Sequence, residues 1–496
     1  MSLINISNLT FAYEGSYDNI FENISFQIDT DWKLGFTGRN GRGKTTFLNL
    51  LLGKFEYSGI ISASVDFQYF PPNVPDKTKI TNAIIREIFP DHQDWQLVRE
   101  LSLLDVSEDV LKRPFLTLSN GEQTKVLLAA LFLSDNNFLL IDEPTNHLDI
   151  AGRGVVSRYL NGKSGFILVS HDRAFLDGCV DHILSINRAD IEVQRGNFSS
   201  WLANKQRQDN FELAENERLK KDIKRLKKAA RQSGEWASKV ESTKIGKGSA
   251  GVEKSIDSRA YIGEKSRRMQ QRRKNLERRQ QSSIEDKSKL LKNIDQADSL
   301  KITQMPYHKP LYLSLRDVGI FYGGKNVCEN ISLDVRRGDR IALNGKNGSG
   351  KSSILKLICG EGISHFGEVS IGSGLQISYV SQDTSHLSGS LTDYARHHSI
   401  DESLFKAILR KLDFSRVQFE KNMEDFSGGQ KKKVLIAKSL CEKAHLLIWD
   451  EPLNFIDVLS RMQIESLLLE YEPTILFVEH DSVFCDRIAT KRVDIP

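Results

Sequence analysis

Apolar and polar residues alternate along the first fifteen positions, MSLINISNLTFAYEG, the period of a half-buried strand. Two short apolar runs lack that alternation. FLLID, ending at Asp142, and LLIWD, ending at Asp450, read as buried strands that finish on an acid. Further on the period becomes helical: Leu219, Ile223, Leu226 and Ala230 share one face within ERLKKDIKRLKKAARQ, which is rich in helix formers and lacks proline. Met269 and Leu276 lie seven apart in SRRMQQRRKNLERRQQ. The two sparse stripes predict an antiparallel helical hairpin with basic faces outward. A first arm from Lys205 to Ser242 would extend about 55 Å at a rise of 1.5 Å per residue. Between the arms lies STKIGKGSAGVEKSIDSRAYIGEK, polar and glycine-spotted, with almost nothing to build a core. The longest apolar run, VLLAALFL, stops well short of the roughly 20 residues of a bilayer span. The amino terminus does not read as a signal peptide.

A chain of 496 residues exceeds one core, and this one repeats itself. FTGRNGRGKTTFLNLL begins at Phe36 and LNGKNGSGKSSILKLI at Leu343. Both contain G-x-x-x-x-G-K-[ST]: Gly38, Arg39, Asn40, Gly41, Arg42, Gly43, Lys44 and Thr45, then Gly345, Lys346, Asn347, Gly348, Ser349, Gly350, Lys351 and Ser352. Thr46 and Ser353 follow. FLLIDEPTNHLD is matched by LLIWDEPLNFID, and LVSHD by FVEHD. Lys44 precedes Glu143 by 99 positions and Lys351 precedes Glu451 by 100; His171 and His480 follow those glutamates by 28 and 29. Glycine turns free backbone N–H groups to surround phosphates at a helix start. Lys44 and Lys351 suit the β- and γ-phosphates of ATP, and the hydroxyls of Thr45 and Ser352 suit Mg²⁺ beside Asp142 and Asp450. Glu143 and Glu451, one residue past the strand acids, are placed to polarise an attacking water.

LSNGEQ from Leu118 and FSGGQ from Phe426 resemble ABC signature motifs, so the chain resembles a tandem ABC ATPase. That implies an α/β fold with two P-loop nucleotide-binding domains paired head to tail within one monomer. One ATP site would join Lys44 and Glu143 to Ser427 and Gly429; the other would join Lys351 and Glu451 to Ser119 and Gly121. His171 and His480 would be the switch histidines, and Tyr13 and Tyr322, on the strands before each P-loop, would stack on adenine. Gln382 in YVSQD matches the Q-loop glutamine that meets the metal, whereas YFPPN has Pro72 there. Asn120 replaces a signature glycine, and Leu453 and Phe455 interrupt the second PTNHLD-like loop. These departures predict two ATP-competent but unequal sites.

Net charge is +4, but Lys205 to Lys292 holds 26 Lys and Arg against 13 Asp and Glu. That segment is +13, which leaves −9 for the rest. A basic rod among acidic domains is the footprint of a polyanion binder. Two ABC domains with a long two-helix linker and no membrane span resemble the ABC-F family over the whole chain, and most of all its Lsa- and Vga-type antibiotic-resistance branch. The resemblance divides the chain into domains at 1–200 and 306–496 and a linker at 201–305 with its tip near 243–263. It implies a cytoplasmic protein that binds the bacterial ribosome at the 23S rRNA of the large subunit, with P-site tRNA nearby. The ATP-closed form would push the tip toward the peptidyl-transferase centre and dislodge lincosamides, streptogramin A compounds and pleuromutilins. Lys244, Lys247, Lys254 and Arg259 would meet phosphates, while Ile256 and Tyr261 would contact bases. Two alternatives stand beside it: a housekeeping translation factor of the same family, and the ATPase of a transporter whose membrane subunit is separate. Five scattered cysteines without a CxxC pair predict a reducing compartment.

Overall fold

The computed structural model describes residues 2–14, 19–90, 92–133, 137–146, 148–186, 191–242, 271, 274, 278, 305–322 and 325–495, with side chains on the long helix described to Arg225 and at Lys228. The chain forms two compact units, Met1–Trp201 with Ser299–Pro496, and Leu202–Asp298.

Within the first unit the two halves repeat one α/β plan. The alternating amino terminus forms the strand Leu3–Phe11, central in an antiparallel sheet between Phe21–Asp29 and Ser58–Ser62. Its inward residues Ile4, Ile6, Leu9 and Phe11 are buried. Leu311–Tyr322 holds the same place between Lys325–Arg336 and His365–Ile371. Against each small sheet packs a larger one. In the first half its spatial order is Asp66–Phe70, Asn137–Asp142, Phe166–Val169, Lys33–Thr37, His182–Ile186, Ile191–Arg195, parallel except for the last pair. In the second the order is Ile377–Val380, Leu446–Asp450, Ile475–Val478, Arg340–Asn344, Lys491–Asp494, all parallel. The apolar runs read as buried strands are Asn137–Asp142 and Leu446–Asp450, the latter buried throughout. Parallel order forces every loop that follows these strands onto one edge, where ligands of open α/β sheets bind.

The basic connector opens with a 45-residue helix, Phe198–Ser242, seven positions before the expected start at Lys205. Asn197 Oδ1 accepts from the Ser200 N–H at 3.0 Å, capping the start, and Phe198 and Trp201 are buried. Leu219 and Ile223 are half-buried on the expected face. The tip residues Lys244, Lys247, Lys254, Ile256, Arg259 and Tyr261, and the pair Met269 and Leu276, lie outside the described residues.

Candidate ATP sites

The strands Lys33–Thr37 and Arg340–Asn344 run into the glycine loops, which turn directly into the helices Lys44–Leu51 and Lys351–Ile358. Gly43 and Gly350 hold those turns at φ +94° and +87°, a region that penalises any Cβ, and a Cβ on Gly43 would stand 2.6 Å from Ile20 Cγ2. The Lys44 ammonium is buried and donates to Gly38 O at 2.7 Å, and Lys351 donates to Gly345 O at 2.8 Å and Lys346 O at 2.7 Å. Each cation thus sits inside its own loop, where phosphate oxygens can replace the carbonyls.

The strand acids carry matching supports. Ser352 donates to Asp450 Oδ1 at 3.0 Å, Thr45 is hydrogen-bonded to Asp142, and Tyr69 donates to Asp142 Oδ2 at 2.9 Å. Glu143 and Glu451 then break the strand at φ +50° and +47°, uncommon for a residue with a Cβ and frequent where function dictates the backbone. Their own N–H groups donate to Val169 O at 2.9 Å and Val478 O at 3.0 Å, which fixes the turn.

The two glutamates then part company. Gln382 Nε2 donates to Glu451 Oε2 at 2.9 Å, Asn454 Nδ2 at 2.6 Å, and His480 Nε2 lies 3.5 Å from Oε1. Burial pulls Glu451 upward, but His480, Asn454 and the Lys432 charge outweigh it and hold the carboxyl below its ordinary range. Pro72 offers Glu143 nothing, and Glu143 Oε1 is buried without a donor, although His171 Nε2 is 3.3 Å away. Burial, with the Asp142 charge beside it, pushes Glu143 up to about 8. Burial, then Lys44 and Arg461, keep His171 neutral. The two glutamates therefore differ in their donor sets.

The halves also meet. Asn40 Nδ2 donates to Phe455 O at 2.7 Å, and Arg39 pairs with Asp413 at 2.5 Å. A Cβ on Gly429 would stand 2.3 Å from Phe455 O and 3.1 Å from Asn40 Nδ2. Lys44, Asp142 and Glu143 of the first half and Ser427 and Gly429 of the second line one cavity of about 1300 Å³. Phe455, which interrupts the motif in sequence, is thus a wall of this site; Leu453 beside it is fully buried in the core. For the other pairing, Asp149 stands close enough to Lys351 for its charge to act. Among the described residues, the side-chain hydrogen bonds of Ser119 stay within its own cap, to Glu122. Tyr13 falls two residues past its strand, not on it, because the strand ends at Phe11; its hydroxyl lies 2.8 Å from Thr46 Oγ1. Tyr322 ends its strand and donates to Ser353 at 3.3 Å. Both rings are exposed.

Contacts that no motif announced join the two halves near His171 and His480. Arg173 donates to Glu465 as a fork, and Arg153 donates to His480 O at 3.1 Å. Arg173 and Glu465 are both buried.

Residues 21–146 and 328–454, together just over half of the chain, match the family described as ABC transporter. The chain belongs to that family, twice over. This ABC protein is an ATP hydrolase. Among its relatives, the putative ATP-binding protein YdiF of Bacillus subtilis is 28% identical over 100% of this chain and 80% of its own length. The ribosome protection protein VmlR of the same organism is 25% identical over 99% and 86%. The energy-dependent translational throttle protein EttA of Haemophilus influenzae is 26% identical over 96% and 89%. The tandem fold is shared with an archaeal ribosome recycling factor, aABCE1, solved with a stalk protein. That structure has a TM-score of 0.63 at 18% identity and covers 98% of this chain and 87% of its own. No helix among the described residues of the ABC protein is long and apolar enough to cross a membrane.

The loops fit the polyphosphate of ATP: left-handed glycines, a buried lysine held by oxygens of its own loop, and a cavity closed by Ser427 and Gly429 of the other half. Asp142 with Thr45, and Asp450 with Ser352, form paired oxygen sets suited to Mg²⁺, which when bound would neutralise charge building on the phosphates.

Proposed function

We propose that this ABC-type ATPase is an ABC-F protein of the cytoplasm that docks on the bacterial ribosome in its ATP-closed form. The reading is carried by the first cavity, where the P-loop of one half and the signature of the other already face each other. Glu143 and Glu451 serve as the bases that polarise water, with His171 and His480 beside them as the switch histidines. The Walker lysines and the loop N–H groups bind phosphate, Ser427 and Gly429 or Ser119 and Gly121 close over it, and Tyr13 and Tyr322 flank the adenine. Gln382, held on Glu451 through its amide nitrogen, keeps its oxygen for the metal.

Closing the halves, at 1–200 and 306–496, sets the angle of the basic linker at 201–305. The linker then carries its tip to 23S rRNA near the peptidyl-transferase centre, beside P-site tRNA, and clears lincosamide, streptogramin A and pleuromutilin drugs. The name of the relative VmlR supports the protective role; the comparable similarity to EttA supports a second reading, a housekeeping translation factor that acts without drugs. Inhibitory concentrations in a drug-sensitive bacterium expressing the chain separate the two. The ribosome itself is tested by Glu143→Gln with Glu451→Gln, which would retain ATP uncleaved. The doubly substituted chain should cosediment with 70S particles in ATP and not in ADP; sedimentation free of ribosomes in both would overturn the reading.

A further inference from the structure

The helices Asn120–Leu131 and Gly428–Cys441 each begin at a signature serine, and five residues in they carry different side chains, Thr124 and Lys432. Thr124 spends its hydroxyl on its own helix, donating to Asn120 O at 2.9 Å. Lys432 is 1% exposed, and its ammonium crosses to two loops, donating to Ser381 O at 3.0 Å and Glu451 O at 3.1 Å. Ser381 precedes the Gln382 that donates to Glu451. One buried cation therefore ties the signature helix to both the Q-loop and the backbone of the catalytic glutamate. Among the described residues no such cation bridge is seen in the first half, where the ATP cavity runs on past Pro72 to Thr124 and Leu127.

The consequence lies in which site each end of the helix serves. Its Ser427 end closes the first cavity, facing Lys44; Lys432, about 7.5 Å further along at 1.5 Å per residue, holds the glutamate of the second. A rigid helix moves both ends together. We propose that Lys432 is a positioning residue that passes nucleotide engagement at the first site to Glu451 of the second, and that the coupling runs this way only because Thr124 makes no such bridge. The inference rests on the two composite ATP sites proposed above.

The test uses the full chain carrying Glu143→Gln, so that turnover reports the second site. Lys432→Met should lower its kcat roughly tenfold, at the upper end of such couplings, with KM for ATP unchanged, and Lys432→Arg should restore it. Amide exchange at Ser381 and Gln382 should quicken in Lys432→Met, while binding of trinitrophenyl-ATP stays the same. Ser427→Ala should slow the second site in the Lys432 chain and have no further effect after Lys432→Met. In the reciprocal Glu451→Gln background, Lys432→Met should leave first-site turnover within about twofold. Additive effects of Ser427→Ala and Lys432→Met, a change confined to KM, or equal losses in both backgrounds would overturn the relay. If Lys432→Met lowers the melting temperature, Lys432→Gln, which keeps a donor without the charge, must show the same kcat loss. Lys351→Ala in the Glu143→Gln chain tests the site assignment separately: turnover should fall to background, and turnover that survives it overturns the reading of the second site on which the relay rests, whereas the Ser427 and Lys432 results overturn the relay alone.

Discussion

Glu143 and Glu451 end matching strands at matching backbone angles, yet only one of them is surrounded by donors. The difference has a measurable sign. A base works in its charged form, so a carboxyl pushed up to about 8 gains activity as pH rises, while one held below its ordinary range is already charged at neutrality. With Glu451→Gln, the remaining turnover should climb between about pH 7 and 9; with Glu143→Gln, it should stay nearly level. Matching profiles would show that bound nucleotide erases the difference. Part of this asymmetry was legible, since Pro72 stands where Gln382 stands in the repeat. Burial of Glu143 Oε1 without a donor was not, because it depends on what packs against it. Phe455 reads in sequence as an interruption, and only the approach of Asn40, 415 positions away, makes its carbonyl part of a site.

At the scale of elements, apolar runs gave the buried strands their place, and the glycine loops gave the helix starts. The long helix begins earlier than its stripe because Asn197 caps it and Phe198 and Trp201 dock there, a signal in NFSSW that apolar period alone does not carry. The helix Arg173–Cys179 of the first half is held to Val458–Tyr471 of the second by Arg173 on Glu465, a buried fork between halves. Its repeat counterparts, Ser482 and Ser157, are uncharged, so sequence symmetry gave no hint of it. Removing the guanidinium leaves a buried carboxylate that keeps, among the described residues, Arg487 at 2.8 Å as its hydrogen-bond partner. Arg173→Ala should therefore cost about 3 kcal/mol in urea unfolding, the low end for a broken buried pair. Adding Glu465→Ala should recover part of that loss. A cost near zero, or strict additivity of the two changes, would mean the fork contributes no coupling between the halves.

For the whole molecule, the charge divides into a +13 connector and a −9 remainder, so on the proposed reading long-range attraction to RNA would belong to the linker. Ribosome association should weaken steeply between about 50 and 200 mM salt, as counterion release requires, and hardly at all if the acidic halves carried the contact. The account depends first on each ATP being clamped by both halves of one chain. Counting ATP retained per chain after gel filtration of the Glu143→Gln, Glu451→Gln protein tests this most directly. The account predicts two per monomer, falling to one when Gly429→Asp fills the space beside Phe455 O; two retained with Gly429→Asp in place would contradict it.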